Sequence, residues 1–513
     1  MTALAAAAQP RGRLTGLVAL MAVGVSLLAI LLGLTLQTPE VAILVPLAMA
    51  LCFALYALPL RTGALSIFFV VLALEGLQYR IGSGGAWAVP GLHELGQLLF
   101  LNVSTQMGGG PIRAPLIDIA TIALFVISLT RNPKDAWGAT QPTVRAVHMV
   151  LWTSAAVAVF LMLVGVLQGG VFDESLWQVR HTLLFPVRAV LLMRALDCTN
   201  DELRLIGRLI VWAAVIKAAI GLYFLYFIAP GLGYVTQYTT SHTDTLLFVP
   251  ALAMYIAQAL ESRKPRLIVA GFLWVPIVFW GLVANDRRLA YVSLCVGAIV
   301  MLVLAPPTPV KKFWARVVTF ATPLIPFYII AGWRSDGTGV FFPVGILKSL
   351  VVGEKRFEEA VDYRDLENLD ILGTWSNHKL IPLGFGHKFE QLFKLPNIGA
   401  WFGQWEYHPH NSYLWFMTIG GPIGATLMLL PHIVTLYLAG RAYRESRDFV
   451  QRVALLTAIA TVIAFFNQIW GDMGTLAWTP SWAAALACAV AAKLAMKTGA
   501  WPAVLRVKRE GDY

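Results

Sequence analysis

Charge is what this chain has least of. Asp, Glu, Lys and Arg together make up 13% of its 513 residues, while 58% are hydrophobic and the mean hydropathy is +0.69. A soluble protein of this length cannot hide so much apolar surface, because most of a soluble exterior must stay polar. Acidic side chains are scarcer still: 28 against 39 basic ones, a formal charge of +11. That balance can mark a nucleic-acid partner, but here the basic residues are scattered over short breaks rather than gathered in a soluble domain, so no nucleic acid is expected. Cysteine is rare. Cys52, Cys295 and Cys488 fall in apolar runs and Cys198 in a break between runs. None lies in an exterior segment, so no disulfide is expected. Also missing are a P-loop, a dinucleotide-binding glycine fingerprint and an H-E-x-x-H pair, and no cofactor is called for. Arg11 and Arg13 precede the first apolar run with no small-residue cleavage pattern behind it, so that run is expected to be a spanning helix rather than a removed signal.

What is present is a series of apolar runs separated by short charged breaks. A helix of roughly 17–25 apolar residues crosses the hydrocarbon of a bilayer, and a helix satisfies its own backbone hydrogen bonds there. The pattern predicts an all-α, polytopic integral membrane protein, one membrane domain over residues 1–513. About fourteen spans are expected, at 14–36, 41–60, 64–79, 115–130, 146–167, 181–196, 209–229, 243–260, 267–284, 289–305, 314–332, 411–439, 453–470 and 476–497. Positive charge gathers on the cytoplasmic side of membrane proteins. With the N-terminus inside, the inner breaks carry Arg61, Arg131, Lys134, Arg145, Arg194, Arg204, Arg208, Arg263, Lys264, Arg266, Lys311, Lys312, Arg316 and Arg441 to Arg452. The short outer breaks carry few basic residues, so both termini are expected in the cytoplasm.

One large loop, 333–409, is placed outside and is too long and polar to be a plain connection. Within it Ile346, Leu350, Phe357 and Val361 recur at near-helical spacing, as in a helix lying on the membrane surface or packed on the bundle. A smaller outer loop, 80–114, is glycine-rich and expected to be irregular.

Histidine is concentrated outside: His93, His378, His387, His408 and His410 in loops, His181 and His242 at outer helix ends. Imidazole is the side chain best suited to move protons near neutral pH, although any single one can be purely structural. The run His408-Pro409-His410-Asn411-Ser412 opens a spanning helix, with Pro409 expected at its first position and His410 in its first turn. The free N–H groups there would suit a phosphate, or the run is an ordinary cap. A second run, Asn285-Asp286-Arg287-Arg288, puts two arginines at an outer helix end, where they would bind phosphate oxygens or only pair with Asp286. Arg188 and Lys217 fall inside predicted spans, where buried charge faces a polar cavity or pairs with a carboxylate. Trp375, Trp401, Trp405 and Tyr407 could stack on sugars or belong to the interfacial belt. The spacing of His378, His387, His408 and His410 matches no common zinc pattern, and no metal is expected.

In these motifs the chain resembles the O-antigen ligase and O-antigen polymerase superfamily of bacterial membrane glycosyltransferases. The likeness is carried by His408-Pro409-His410-Asn411-Ser412-Tyr413-Leu414, by the break Gly420-Gly421-Pro422-Ile423-Gly424, and by Tyr363-Arg364-Asp365-Leu366-Glu367-Asn368 and Pro382-Leu383-Gly384-Phe385-Gly386 in the loop. Arg287 or Arg288 stands where that family has an arginine after a serine-rich turn, which here reads Asn285-Asp286, so the match between the two is open. The resemblance implies a bacterial inner-membrane enzyme, metal-independent, whose site faces the periplasm. Its donor would be a polyprenyl-diphosphate-linked oligosaccharide and its acceptor a glycan or glycolipid, with membrane lipids around it and a chain-length regulator as a further partner. His410 would be the base, Arg287, Arg288 and Arg364 would hold the diphosphate, and His408, Asn411, Glu367 and Asn368 would support them. Polymerase is favoured over ligase by Glu367-Asn368. A transporter or flippase for a lipid-linked glycan is the alternative of another class, although no internal repeat joins the two halves.

Overall fold

The computed structural model describes residues 53–81, 85–103, 114–131, 142–232, 239–262, 269–335, 358–379, 381–399, 403–472 and 474–500, with scattered positions between 21 and 50 and between 341 and 348. The expected spans at 14–36 and 41–60 lie partly outside the described residues, and Cys52, Trp401, Ile346, Leu350 and Phe357 lie wholly outside them.

Among the described residues the chain is helical, with two isolated bridges, Ile81 to Trp87 and Asn102 to Pro115, and no named strand. The helices are α1 (Leu60–Leu74), α2 (Leu92–Phe100), α3 (Leu116–Arg131), α4 (Pro142–Leu167), α5 (Phe172–Ala195), α6 (Asn200–Tyr223), α7 (Thr245–Glu261), α8 (Val275–Ala284), α9 (Arg288–Leu304), α10 (Pro309–Ala321), α11 (Ile325–Trp333), α12 (Glu358–Asn377), α13 (Ser412–Glu445), α14 (Phe449–Gly471) and α15 (Trp478–Lys497). Seven stretches among the described residues are long and apolar enough to cross a membrane, and four further apolar helices are shorter. The protein is an all-helical, multi-pass membrane protein.

Two expectations differ from the structure in an instructive way. The loop 80–114 is not irregular throughout, because α2 lies in it, with Gly91 at φ +73° as its N-cap. The span expected at 267–284 is interrupted: 269–271 are helical, 272–274 turn, and α8 begins at Val275. Pro276 there sits in the first turn, the one place in a helix where a missing N–H costs nothing.

The centre of the bundle is α15, which packs on α5, α13 and α14. Its most apolar window is 94% buried, whereas that of the stretch Pro309–Trp333 is wholly unburied at the edge. Eight of the 20 residues of α15 are alanine, and small side chains let helix backbones approach closely where lipid offers no hydrophobic drive to associate. Helix α13 is bent where Gly421 takes φ 63° and ψ −177°, with Pro422 behind it.

The turns gather at two ends. At one, Arg452 reaches Glu261 at 2.8 Å, Thr308 donates to the Leu260 carbonyl at 2.9 Å, Asn200 donates to Asp448 at 3.0 Å, and Arg61 meets Glu202 at 3.2 Å. At the other, the loop after α12 threads between helix ends. Gly384 N–H donates to the Ile419 carbonyl at 3.0 Å and Phe385 N–H to that of Leu161 at 3.1 Å, while Val171 N–H donates back to Gly386 at 2.8 Å. Gly384 and Gly386 both have positive φ, 73° and 94°, which suits glycine alone. Gly165 is the floor of this insertion: a Cβ there would lie 1.9 Å from the Phe385 carbonyl oxygen.

Gly165→Ala is therefore expected to push the 382–386 segment off the bundle. The loss should be about 1–3 kcal/mol, as for other overpacked contacts. Thermal unfolding of the solubilised protein and protease sensitivity of the loop measure it; an unchanged midpoint would contradict this packing.

Candidate active site

Helix α12 presents Tyr363, Glu367, Asp370, Ile371 and Thr374 to the bundle, a single face at helical spacing, and packs on α13. The face is mostly polar because each buried group has a task. Asp370 accepts the Phe393 N–H at 2.9 Å and Thr374 Oγ1 accepts the Glu390 N–H at 2.8 Å, which ties the irregular chain to the helix. Thr418 of α13 donates to the Ile371 carbonyl at 3.3 Å.

One turn earlier, Glu367 meets His410. Both carboxylate oxygens lie 3.1 Å from His410 Nδ1, and the backbone N–H of His410 donates to Oε2 at 2.9 Å. Glu367 is 1% exposed and His410 19%. A carboxylate accepts only, so Nδ1 carries the proton and Nε2 keeps the lone pair, an assignment that follows from the hydrogen bonds. Tyr363 packs edge-on against the imidazole at 5.8 Å. Burial, then the negative charge of Glu367 and Asp370, pushes the Tyr363 hydroxyl above its usual range. Asn368, next in sequence to Glu367, has its Oδ1 buried and without a hydrogen-bond partner among the described residues.

The helix start is shifted from expectation. Asn411 is the N-cap of α13 and its side chain accepts the Leu414 N–H at 3.0 Å. Pro409 and His410 therefore precede the helix instead of forming its first turn. The reason is competition: an asparagine side chain satisfies an orphan N–H better than a prolyl start does.

His410 has further charged neighbours. His242 Nδ1 lies 3.4 Å from Asp472 Oδ2. Burial alone would raise the Asp472 carboxyl, but His242, Arg287, Arg364 and His410 outweigh it and hold the group well below the ordinary 3.8. Arg287 is the N-cap residue of α9 and Arg288 its first residue. Of the two, Arg287 is the one whose charge bears on Asp472 and His242. Asn285, only 1% exposed, accepts the Thr240 N–H at 3.3 Å and donates to the Ser241 carbonyl at 3.1 Å, so the arginine turn and the His242 turn are fastened together. Asp286 takes φ 47° to make that corner. Ser412 and Thr475 are joined at 3.1 Å, and Asn467 donates to the Leu289 carbonyl at 2.9 Å. Five chain segments thus converge on one polar cluster: α12, the start of α13, and the segments that carry His242, Arg287 and Asp472.

The other residues singled out in the sequence go elsewhere. Arg188 and Lys217 are buried with carboxylates, Arg188 at 2.9 Å from Asp118 and Lys217 at 3.0 Å from Asp244. His378 lies 3.5 Å from Glu390 and His387 contacts the Gly165 carbonyl at 3.0 Å. Among the described residues no group of three or more His, Cys, Asp or Glu is placed to hold a metal ion. Trp405 is buried against Phe389 inside the loop. His408 is 2% exposed and packs edge-on against Trp177 at 4.7 Å. Burial, then the charge of Arg180, pushes His408 down to about 3.

Asp472 and His242 were not read from the sequence as a site. Asp472 ends an apolar run and follows Gly471 as a lone carboxylate, and its partner stands 230 residues earlier. The one available signal was its rarity: a carboxylate at the end of an apolar run in a chain with 28 acidic residues. No protein-family model matches the chain, and a search of curated proteins finds no similar sequence.

His408 is neutral when folded and ionises near its ordinary value of 6.5 when released. Its contribution to stability is complete above that value and is lost as pH falls toward 3. Between pH 7 and 5 the loss should be about 2 kcal/mol. Thermal midpoints across this range should fall less in His408→Gln than in the wild type; parallel curves would refute the assignment.

Proposed function

We propose that this protein is a membrane glycosyltransferase that transfers a polyprenyl-diphosphate-linked oligosaccharide to an acceptor glycan at the outer, periplasmic face of a bacterial inner membrane, as a polymerase of surface polysaccharide. The observation that carries the reading is the Glu367–His410 pair. A buried carboxylate fixes the tautomer of a partly open imidazole, which is how a general base is built.

In the proposed step Nε2 of His410 takes the proton of an acceptor hydroxyl. The oxygen attacks the anomeric carbon of the lipid-linked sugar. The bond from that carbon to the diphosphate breaks, and the electron pair leaves with the polyprenyl diphosphate. Charge grows on the diphosphate as the bond stretches, so cations fixed nearby favour the transition state over the ground state. Arg287 and Arg364 share a cluster with His410 and are assigned this task, and Arg288 borders it. Asn411 holds the start of α13, and with it the backbone that carries His410. Asn368, next in sequence to Glu367 and with its buried Oδ1 unpartnered among the described residues, is assigned to the acceptor hydroxyl.

A lipid-linked donor accounts for a site at the end of a membrane bundle rather than in a soluble domain. A ligase that uses lipid A core as acceptor would run the same chemistry with a different acceptor. Flipping of the donor would leave the diphosphate bond whole and would have no use for a base.

His410→Ala should lower turnover by about 10²–10⁴. Arg287→Ala should cost about 10²–10³, and Arg288→Ala less. Glycan chain length in membranes and release of polyprenyl diphosphate report both. Full activity of His410→Ala would sink the catalytic assignment, and donor that crosses the membrane unchanged would favour a flippase.

A further inference from the structure

His242 and Asp472 repeat the construction of His410 and Glu367. In each pair the carboxylate is shut away, 7% exposed for Asp472 and 1% for Glu367, and faces Nδ1 of an imidazole that reaches an opening, half-exposed at 51% for His242. The Asp472 carboxylate is further held by Gln468 Nε2 at 3.2 Å. The His242 turn is fixed from behind by the Lys217–Asp244 ion pair and by the Ser241–Asp244 cap, in which the Ser241 N–H donates to Asp244 at 3.1 Å. It is fixed from the side by Asn285, two residues before Arg287. This degree of anchoring puts one imidazole beside the arginine assigned to the leaving group, and the other, on His410, at the acceptor.

We propose that His242, oriented by Asp472, is a second catalytic imidazole of this site, which donates a proton to the departing lipid diphosphate. The inference rests on the glycosyl-transfer reading and adds to it the group that completes the proton balance. As the anomeric carbon–oxygen bond breaks, the electron pair goes to the diphosphate oxygen. That oxygen takes the proton from Nε2 of His242, and the polyprenyl diphosphate leaves singly protonated on that phosphate. His410 meanwhile holds the proton of the acceptor hydroxyl. One proton gained at His410 and one lost at His242 cancel, and exchange with solvent resets both rings. Asp472 is a positioning residue: its carboxylate keeps the proton on Nδ1 of the neutral ring and steadies the protonated ring before transfer. The surrounding cations favour its ionised state; the same charges, Arg287 first, push His242 below its ordinary value, so the ring takes up the proton it donates once the negative diphosphate is bound beside it.

The test uses the full chain in lipid nanodiscs, with release of polyprenyl diphosphate as one readout and binding of added polyprenyl diphosphate as the other. His242→Gln should lower turnover about 10²-fold and weaken binding of the lipid diphosphate about tenfold. His410→Ala should lose turnover but keep that binding. Asp472→Asn should reproduce most of the turnover loss, while Asp472→Glu, which keeps the carboxylate, should recover it. Thermal midpoints identify a variant that has merely unfolded, and the Asp472 pair then decides. A His242→Gln protein with wild-type turnover, or an Asp472→Asn protein equal to Asp472→Glu, would overturn the proposal and leave the glycosyl-transfer reading standing. A wild-type protein that neither releases nor binds polyprenyl diphosphate would overturn the reading itself.

Discussion

Carboxylates taken out of water must be matched, and the site end of this bundle is organised by that requirement. Asp118, Asp244 and Glu75 are all buried. Asp118 accepts from Arg188 of α5 and from the Trp478 indole at 2.9 Å. Asp244 accepts from Lys217 of α6. Glu75 accepts the Trp478 N–H at 2.9 Å and the Thr479 N–H, so its charge sits on the first turn of α15. An ion pair in low dielectric gives little net stability, yet removal of one partner costs about 3–5 kcal/mol because the other is left uncompensated. These pairs therefore act as registers: α1, α3, α5, α6 and α15 can meet in only one vertical alignment.

That alignment is what makes a site from turns that are far apart in the chain. The Lys217–Asp244 pair sets the height of His242. Glu75 and Asp118 set the height of Trp478, and the short turn from Asp472 to Thr475 follows from that. Asn285 carries the same height across to Arg287. The loop after α12 lies against the ends of α4 and α5, with Gly165 and Gly384 allowing its backbone to lie directly on them. The buried face of α12 does two jobs at once: Asp370 and Thr374 hold the loop, and Glu367 holds the imidazole.

Arg188 and Lys217 illustrate how a buried cation should be read. Each was open between lining a ligand cavity and pairing with a carboxylate, and each is paired. Each pair ties two segments together, α5 to α3 and α6 to the turn before α7. The cations that remain at the cluster, Arg287 and Arg364, lie outside the helical interior and are partly open to solvent.

The all-helical membrane character, the approximate places of most helices from 115 onward, and His410 and the Arg287-Arg288 pair as candidates were legible in the amino-acid order. Hydropathy and short motifs are local properties, and a helix in lipid is decided locally by its own hydrogen bonds. The start of α13 was misread by three residues, because whether Pro409 or Asn411 caps it depends on which side chain reaches the Leu414 N–H. Helix α12 was invisible to periodicity, since its buried face mixes Tyr363, Glu367, Asp370 and Thr374 with one isoleucine, and Glu367, Asp370 and Thr374 find partners in segments outside the helix. The partnership of His242 with Asp472 was beyond any local pattern. Two polar residues 230 positions apart become neighbours only once helix heights are set, and those heights are decided by buried ion pairs that no single segment contains.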